Sequence, residues 1–145
     1  PFELVILGES FVSTPPIFVD AKKRLGDRII HMGYVESFET YAYWLNRCDM
    51  MPVCSHHDFF GISVIEAIYN GVYPILPNRL AYPEHIPPSL YLRHLYQDDD
   101  DLYQRTKLFL EQPASISDTL VKHISRYDWS KQTDTWESNL LTPTY

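Results

Sequence analysis

The chain has 145 residues, enough for one domain with a real core. Its 45% hydrophobic content is ordinary, and a 14% aromatic share with 11 tyrosines favours a packed fold over disorder. A formal charge of -7, from 12 basic and 19 acidic residues, argues against these residues alone gripping a polyanion, but leaves room for a local anion site.

Cys48 and Cys54 match no zinc spacing and make no disulfide framework, which points to a reducing, cytoplasmic compartment. No apolar run reaches membrane-spanning length, so no membrane contact is expected, and no signal-peptide pattern opens the chain. The chain instead enters a strand with no lead-in, as a piece of a larger protein would.

In chain order, Phe2 to Leu7 reads as a buried parallel strand that ends in Gly8. Gly8-Glu9-Ser10 occupies its carboxyl end, where open α/β sheets place ligands, although a plain turn is the simpler reading of Glu9 and Ser10. Pro15-Pro16 opens a helix through about Leu25, and Gly26 ends it. Arg28 to Met32 is a second strand, with Gly33-Tyr34-Val35 as its loop. Ser37 and Thr40 start the next helix, ahead of Tyr41, Trp44 and Leu45. Met50 to Cys54 is a third strand, and Pro52 suits an edge or a strand start.

The stretch His56 to Gly71 organises the rest. An acidic residue, Asp58, stands beside Phe59-Phe60-Gly61, and an apolar helix follows with one carboxylate, Glu66, inside it. Ile62, Val64, Ile65, Ala67 and Ile68 leave almost no polar face, so the helix is expected to be buried. Glu66 then needs a hydrogen-bonding partner, either a neighbour or the hydroxyls of a ligand. The helix start near Phe60 to Ile62 offers unpaired amides and a positive dipole end, a ready site for phosphate, and Gly61 allows close approach. The plainer alternative makes Asp58 an N-cap and Glu66 a carboxylate paired in the core.

Gly71 closes that helix, Tyr73 to Leu76 is a strand, and Pro77 to Glu84 is a proline-rich loop. Leu90-Tyr91-Leu92 reads as a short last strand. Asp98 to Asp101 precede a helix and complement its dipole; consecutive aspartates do not converge on one ion, so no metal is expected there. Ser117 to Tyr127 and Lys131 to Leu141 read as terminal helices. The alternation of strands and helices predicts an α/β fold: a Rossmann-like, doubly wound parallel sheet with extra C-terminal helices.

Asp58, the seven-residue gap to Glu66, Phe60-Gly61 inside it, then Ala67, Gly71 and Pro74 resemble the donor-binding signature of retaining family 4 glycosyltransferases of the GT-B fold. Gly33-Tyr34-Val35 after a strand, and Cys48-Asp49 before the next, stand where that family has them. The runs Ala21 to Gly26, His56 to Gly61 and Ala81 to Glu84 resemble a subfamily that moves mannose from GDP-mannose onto queuosine-modified tRNA.

The resemblance covers nearly the whole chain, read as one nucleotide-sugar domain over residues 1–145 whose N-terminal acceptor half lies elsewhere. It implies that Glu66 holds the ribose and that Asp58 lies at the donor sugar as the catalytic candidate. The amides of Phe60, Gly61 and Ile62 would face the sugar and diphosphate. Gly33, Tyr34 and Val35 would edge the base, with Gly8 nearby. No cofactor or metal is implied, because cationic side chains and helix dipoles stabilise the departing diphosphate. The implied partners are a nucleotide-sugar donor, the acceptor half and, through that half, tRNA.

Two departures stand out. The family usually has Glu where this chain has Asp58, which retracts the carboxylate by about 1.5 Å. The family's diphosphate-clamping Arg and Lys lie upstream of the first strand, and Lys22, Lys23, Arg24 and Arg79 are substitutes by charge only. The alternatives are a GT-B sugar-nucleotide epimerase and a non-catalytic α/β nucleotide-binding or interaction module.

Overall fold

The computed structural model describes residues 1–8, 15–133 and 136. Glu9, Ser10 and most of the Lys131 to Leu141 segment lie outside the described residues. The chain is α/β with parallel sheets and divides into two compact units, 1–47 and 48–145.

In the first unit, β1 (Leu4–Leu7) and β2 (Ile29–Gly33) pair in parallel, with Leu7 opposite Gly33. The crossover between them is α1 (Pro16–Leu25). Pro16 at its first position needs no N–H partner, and Gly26 ends it at φ 53°. Lys22, Lys23 and Arg24 sit in the last turn, where they complement the helix dipole. That turn leads into the amino end of β2, so these cations stand at the edge opposite the strands' carboxyl ends. The second helix, α2 (Phe38–Leu45), is capped by Ser37, whose hydroxyl accepts the Thr40 amide at 3.1 Å. The first strand is shorter than the expected Phe2 to Leu7 and half-buried rather than buried.

In the second unit, β3 (Met50–Pro52), β4 (Tyr73–Pro77) and β5 (Leu95–Tyr96) form a parallel sheet in that order. Pro52 ends an edge strand of this sheet, as a proline should. Pro74, in the central strand, needs a different account. Tyr73 and Ile75 bond toward β3, through Tyr73 N–H to the Asp49 carbonyl and Val53 N–H to the Ile75 carbonyl. Pro74 therefore faces the β5 side, and β5 begins pairing only at Leu76. Among the described residues no strand asks for the missing N–H, and the Pro74 carbonyl takes the His94 Nδ1–H at 2.9 Å instead.

The expected strand at Leu90 to Leu92 is a correction. Tyr91–His94 forms the short helix α4, and the last strand is Leu95–Tyr96. Leu92 is 89% exposed, whereas Leu95 and Tyr96 are buried. Burial on the sheet selects the later pair.

The connection between β3 and β4 carries α3 (Ile62–Tyr69). Val64, Ile65 and Ile68 enter a core with Val53, Leu76, Tyr82, Ile86, Leu90, Leu95, Leu120 and Ile124. Each fully buried branched side chain there contributes about 1.5–3 kcal/mol. Leu120 and Ile124 come from α6 (Asp118–Ile124), which packs on α3. Before it, α5 (Asp99–Glu111) is capped by Asp98, which accepts the Asp101 amide at 2.8 Å. Asp101 in turn accepts from Gln97 N–H and Arg105 Nε, so the aspartate run works as a helix cap. Among the described residues, no helix is long and apolar enough to cross a membrane.

Candidate functional site

Parallel strands deliver their loops to one edge, and the loop after β3 carries the sequence's main candidates. Asp58 is half-buried and folds back on its own loop. Its Oδ1 accepts the Phe60 amide at 3.1 Å and the Gly61 amide at 2.7 Å. Its Oδ2 accepts the Tyr82 hydroxyl at 3.0 Å. A carboxylate has roughly four acceptor positions, so about one remains on Oδ2.

This arrangement corrects the expectation for the amides. Those of Phe60 and Gly61 are spent on Asp58 and do not stand ready for a ligand. The first α3 amides, on Ile62 and Ser63, are different, because the N-cap Gly61 has no side chain to cap them. Gly61 has a structural reason of its own. It stands at φ 77°, and a Cβ there would lie 3.1 Å from Tyr82 Cε1. A left-handed backbone under an aromatic ring requires this glycine, independently of any ligand.

Glu66 is half-buried, not enclosed in the core as an apolar helix suggested. The buried face of α3 is Val64, Ile65, Ala67 and Ile68, while Ile62 is 58% exposed. Ile62 and Ser63 precede Glu66 by four and three positions, so all three share one face of the helix. The arrangement is a carboxylate one turn inside a helix whose starting amides have no side-chain cap. Such a face can receive an anion at the helix start and hydroxyls one turn along.

In the first unit, Gly8 and Gly33 stand together at the strands' carboxyl ends, joined by Gly8 N–H to the Gly33 carbonyl at 3.2 Å. Tyr34 beyond them is exposed and Val35 half-buried. The two glycines are thus brought to one edge of the first unit.

Arg79 follows β4. It is half-buried, and its Nη2 donates to the Ser55 carbonyl at 3.1 Å, at the root of the Asp58 loop. Its Nε is buried with no partner among the described residues. The guanidinium thus ties the loop after β4 to the loop after β3. Among the described residues, no three His, Cys, Asp or Glu side chains converge as a metal site would require.

Sequence reasoning missed Tyr82 and His85. Both lie in the one-turn 3-10 helix Tyr82–His85, at the end of what reads as a proline-rich connector from Pro77 to Glu84. The available signal was the presence of a large aromatic and a histidine in a stretch otherwise suited to a solvent loop.

The model for glycosyl transferases group 1 matches residues 1–126. The chain is also 33% identical over 112 residues to the tRNA-queuosine alpha-mannosyltransferase of Drosophila melanogaster. That match covers 77% of this chain and 28% of the relative, so the chain spans well under half of the relative's length. The chain belongs to the group 1 glycosyl transferases, and its Rossmann-like α/β architecture is that of a GT-B C-terminal domain.

Proposed function

We propose that this chain binds the nucleotide-sugar donor of a retaining glycosyltransferase. The donor is GDP-mannose, and the acceptor is queuosine-modified tRNA, held by residues outside the chain. The observation that carries the reading is the Ile62–Ser63–Glu66 face of α3, with starting amides that lack a side-chain cap and a half-buried Glu66 one turn along. Glu66 accepts the ribose hydroxyls, and the Ile62 and Ser63 amides meet the diphosphate at the positive end of the helix. The remaining acceptor position of Asp58 serves a sugar hydroxyl.

The mannose and tRNA assignments are supported by the Drosophila relative's name and by the runs His56 to Gly61 and Ala81 to Glu84. The net charge of -7 favours a tRNA contact outside this chain, since phosphate binding depends on cationic surface. Catalysis then requires a longer protein, and these residues alone bind donor without turning it over.

Calorimetric titration with GDP, GDP-mannose, UDP and UDP-glucose tests the reading. A GDP preference of about tenfold, lost in Glu66→Ala, is the expected result. A UDP preference would keep the donor site and discard mannose. No binding, repeated on the full-length protein, would overturn the donor reading.

A further inference from the structure

His85 is fully buried, 25 residues in sequence from Phe60, and no role for it follows from the donor site as described. Its Nε2 is hydrogen-bonded to the Phe60 carbonyl, and its Nδ1 lies 3.1 Å from the Tyr127 hydroxyl. A carbonyl can only accept, so Nε2 carries the proton and Nδ1 accepts from Tyr127. Burial, with the Arg126 charge adding to it, pushes the His85 pKa down and keeps the ring neutral, against the opposing pull of the Phe60 carbonyl, Glu84 and Asp58.

The Phe60 carbonyl and the Gly61 amide belong to one peptide plane. His85 holds the carbonyl side, and Asp58 Oδ1 holds the amide side at 2.7 Å. The Phe60 ring is fixed as well, edge-on to His85 at 5.4 Å and to Tyr127 at 5.2 Å. The lock is itself braced. Arg126 reaches the Tyr127 hydroxyl at 2.6 Å and the Glu84 carbonyl at 2.5 Å, and His123 Nε2 meets the same carbonyl at 2.9 Å. The pinned plane leads into the N-cap Gly61, whose own carbonyl takes the first α3 bonds from Val64 and Ile65, so it sets the direction in which the helix starts.

We infer that His85 is a positioning residue for donor binding: with Asp58 it pins the Phe60–Gly61 peptide plane and so aims the Ile62 and Ser63 amides at the donor diphosphate. The inference rests on the donor reading above. Its chemistry asks for one N–H at Nε2 and no charge. Glutamine can supply that donor from a side chain of similar reach, and leucine fills the space without it.

The test compares His85→Gln and His85→Leu in the full-length protein, with GDP and GDP-mannose as probes in calorimetry. Amide hydrogen exchange is followed at Gly61 and at the core residue Leu76. In His85→Leu, nucleotide affinity falls and Gly61 exchange rises, each by about tenfold, while Leu76 exchange moves less. His85→Gln stays within about threefold of the parent on both readouts. Tyr127→Phe, which keeps the ring and removes the hydroxyl behind Nδ1, gives a smaller loss in the same direction and serves if His85→Leu does not fold.

Parent-like binding and Gly61 exchange in every variant would overturn the inference and leave the donor reading intact. Equal acceleration of Gly61 and Leu76, with glutamine no better than leucine, would assign His85 to general core stability and overturn it too. A parent that binds neither probe overturns the donor reading, and the inference with it.

Discussion

The Tyr82 hydroxyl donates to Asp58 Oδ2 at 3.0 Å, joining the loop after β4 to the loop that starts α3. Tyr82 is 1% exposed, so its ring belongs to the core while its oxygen belongs to the site. Burial, together with the neighbouring Asp58 carboxylate, pushes the phenol pKa up and keeps the proton on Tyr82, where it can be donated.

Tyr82→Phe keeps the ring and removes that donor. The expected loss of stability is about 1–2 kcal/mol, the range for a hydrogen bond to a charged group after allowing for the half-exposed carboxylate. Urea denaturation measures it, with an unchanged m value showing that the folded state is intact. A variant as stable as the parent would mean that water replaces the hydroxyl on Asp58 without cost.

Gly61 and Gly71 separate two costs of adding a Cβ. Both have positive φ, at 77° and 85°. A Cβ at Gly71 meets nothing within 4 Å, so Gly71→Ala carries backbone strain of about 1 kcal/mol. A Cβ at Gly61 comes within 3.1 Å of the buried Tyr82 ring, which cannot swing away. Gly61→Ala should therefore cost more, by about 1–3 kcal/mol of overpacking. Equal losses in the two variants would show that the ring yields.

Much of the fold was legible because its signals are local. Pro16 and Gly26 bound α1, Ser37 caps α2, and the aspartates before α5 are cap residues, all within a few positions in sequence. The donor loop was legible in composition but not in wiring. Asp58 and Tyr82 are 24 residues apart, and Phe60 and His85 are 25, so no periodicity relates them. Composition also made α3 look enclosed, whereas only four of its residues are buried and Ile62 faces outward. The misread strand at Leu90 to Leu92 has the same cause: apolar content was visible, but the packing partners of Leu95 and Tyr96 were not.

Stability should fall as the solution is acidified through the histidine range. His85 and His94 are both buried, and burial is the leading cause of the lowered pKa of each. The unfolded chain binds protons at the ordinary histidine value near about 6.5, whereas the folded chain resists them until lower pH. The contribution of neutral burial is therefore complete above that value and is lost as pH falls from it through the folded pKa. In that window each histidine contributes a slope of up to about 1.4 kcal/mol per pH unit. Thermal melts between neutral pH and pH about 5 should show the decline, and it should be shallower in His94→Gln, which cannot titrate. A parallel curve for that variant would remove His94 from the account.

Asp58 and Glu66 should fail differently when truncated, because Asp58 anchors two amides of its own loop and the Tyr82 hydroxyl, whereas Glu66 is the carboxylate proposed for the ribose. Asp58→Ala releases the Phe60 and Gly61 amides and the Tyr82 hydroxyl together, so it should lower stability by about 2–4 kcal/mol and disturb α3's first amides as a consequence. Glu66→Ala removes the carboxylate proposed for the ribose, so its main effect should be a roughly tenfold weaker GDP affinity with the smaller change in melting temperature. Asp58→Asn sharpens the comparison. It keeps one acceptor oxygen for the two amides, but its NH₂ must face a hydroxyl that can turn to accept, so it should recover part of the stability. Measuring melting temperature and GDP affinity on the same three variants decides the matter. If Glu66→Ala loses as much stability as Asp58→Ala and binds GDP as the parent does, Glu66 belongs to the scaffold and the ribose contact must be sought elsewhere.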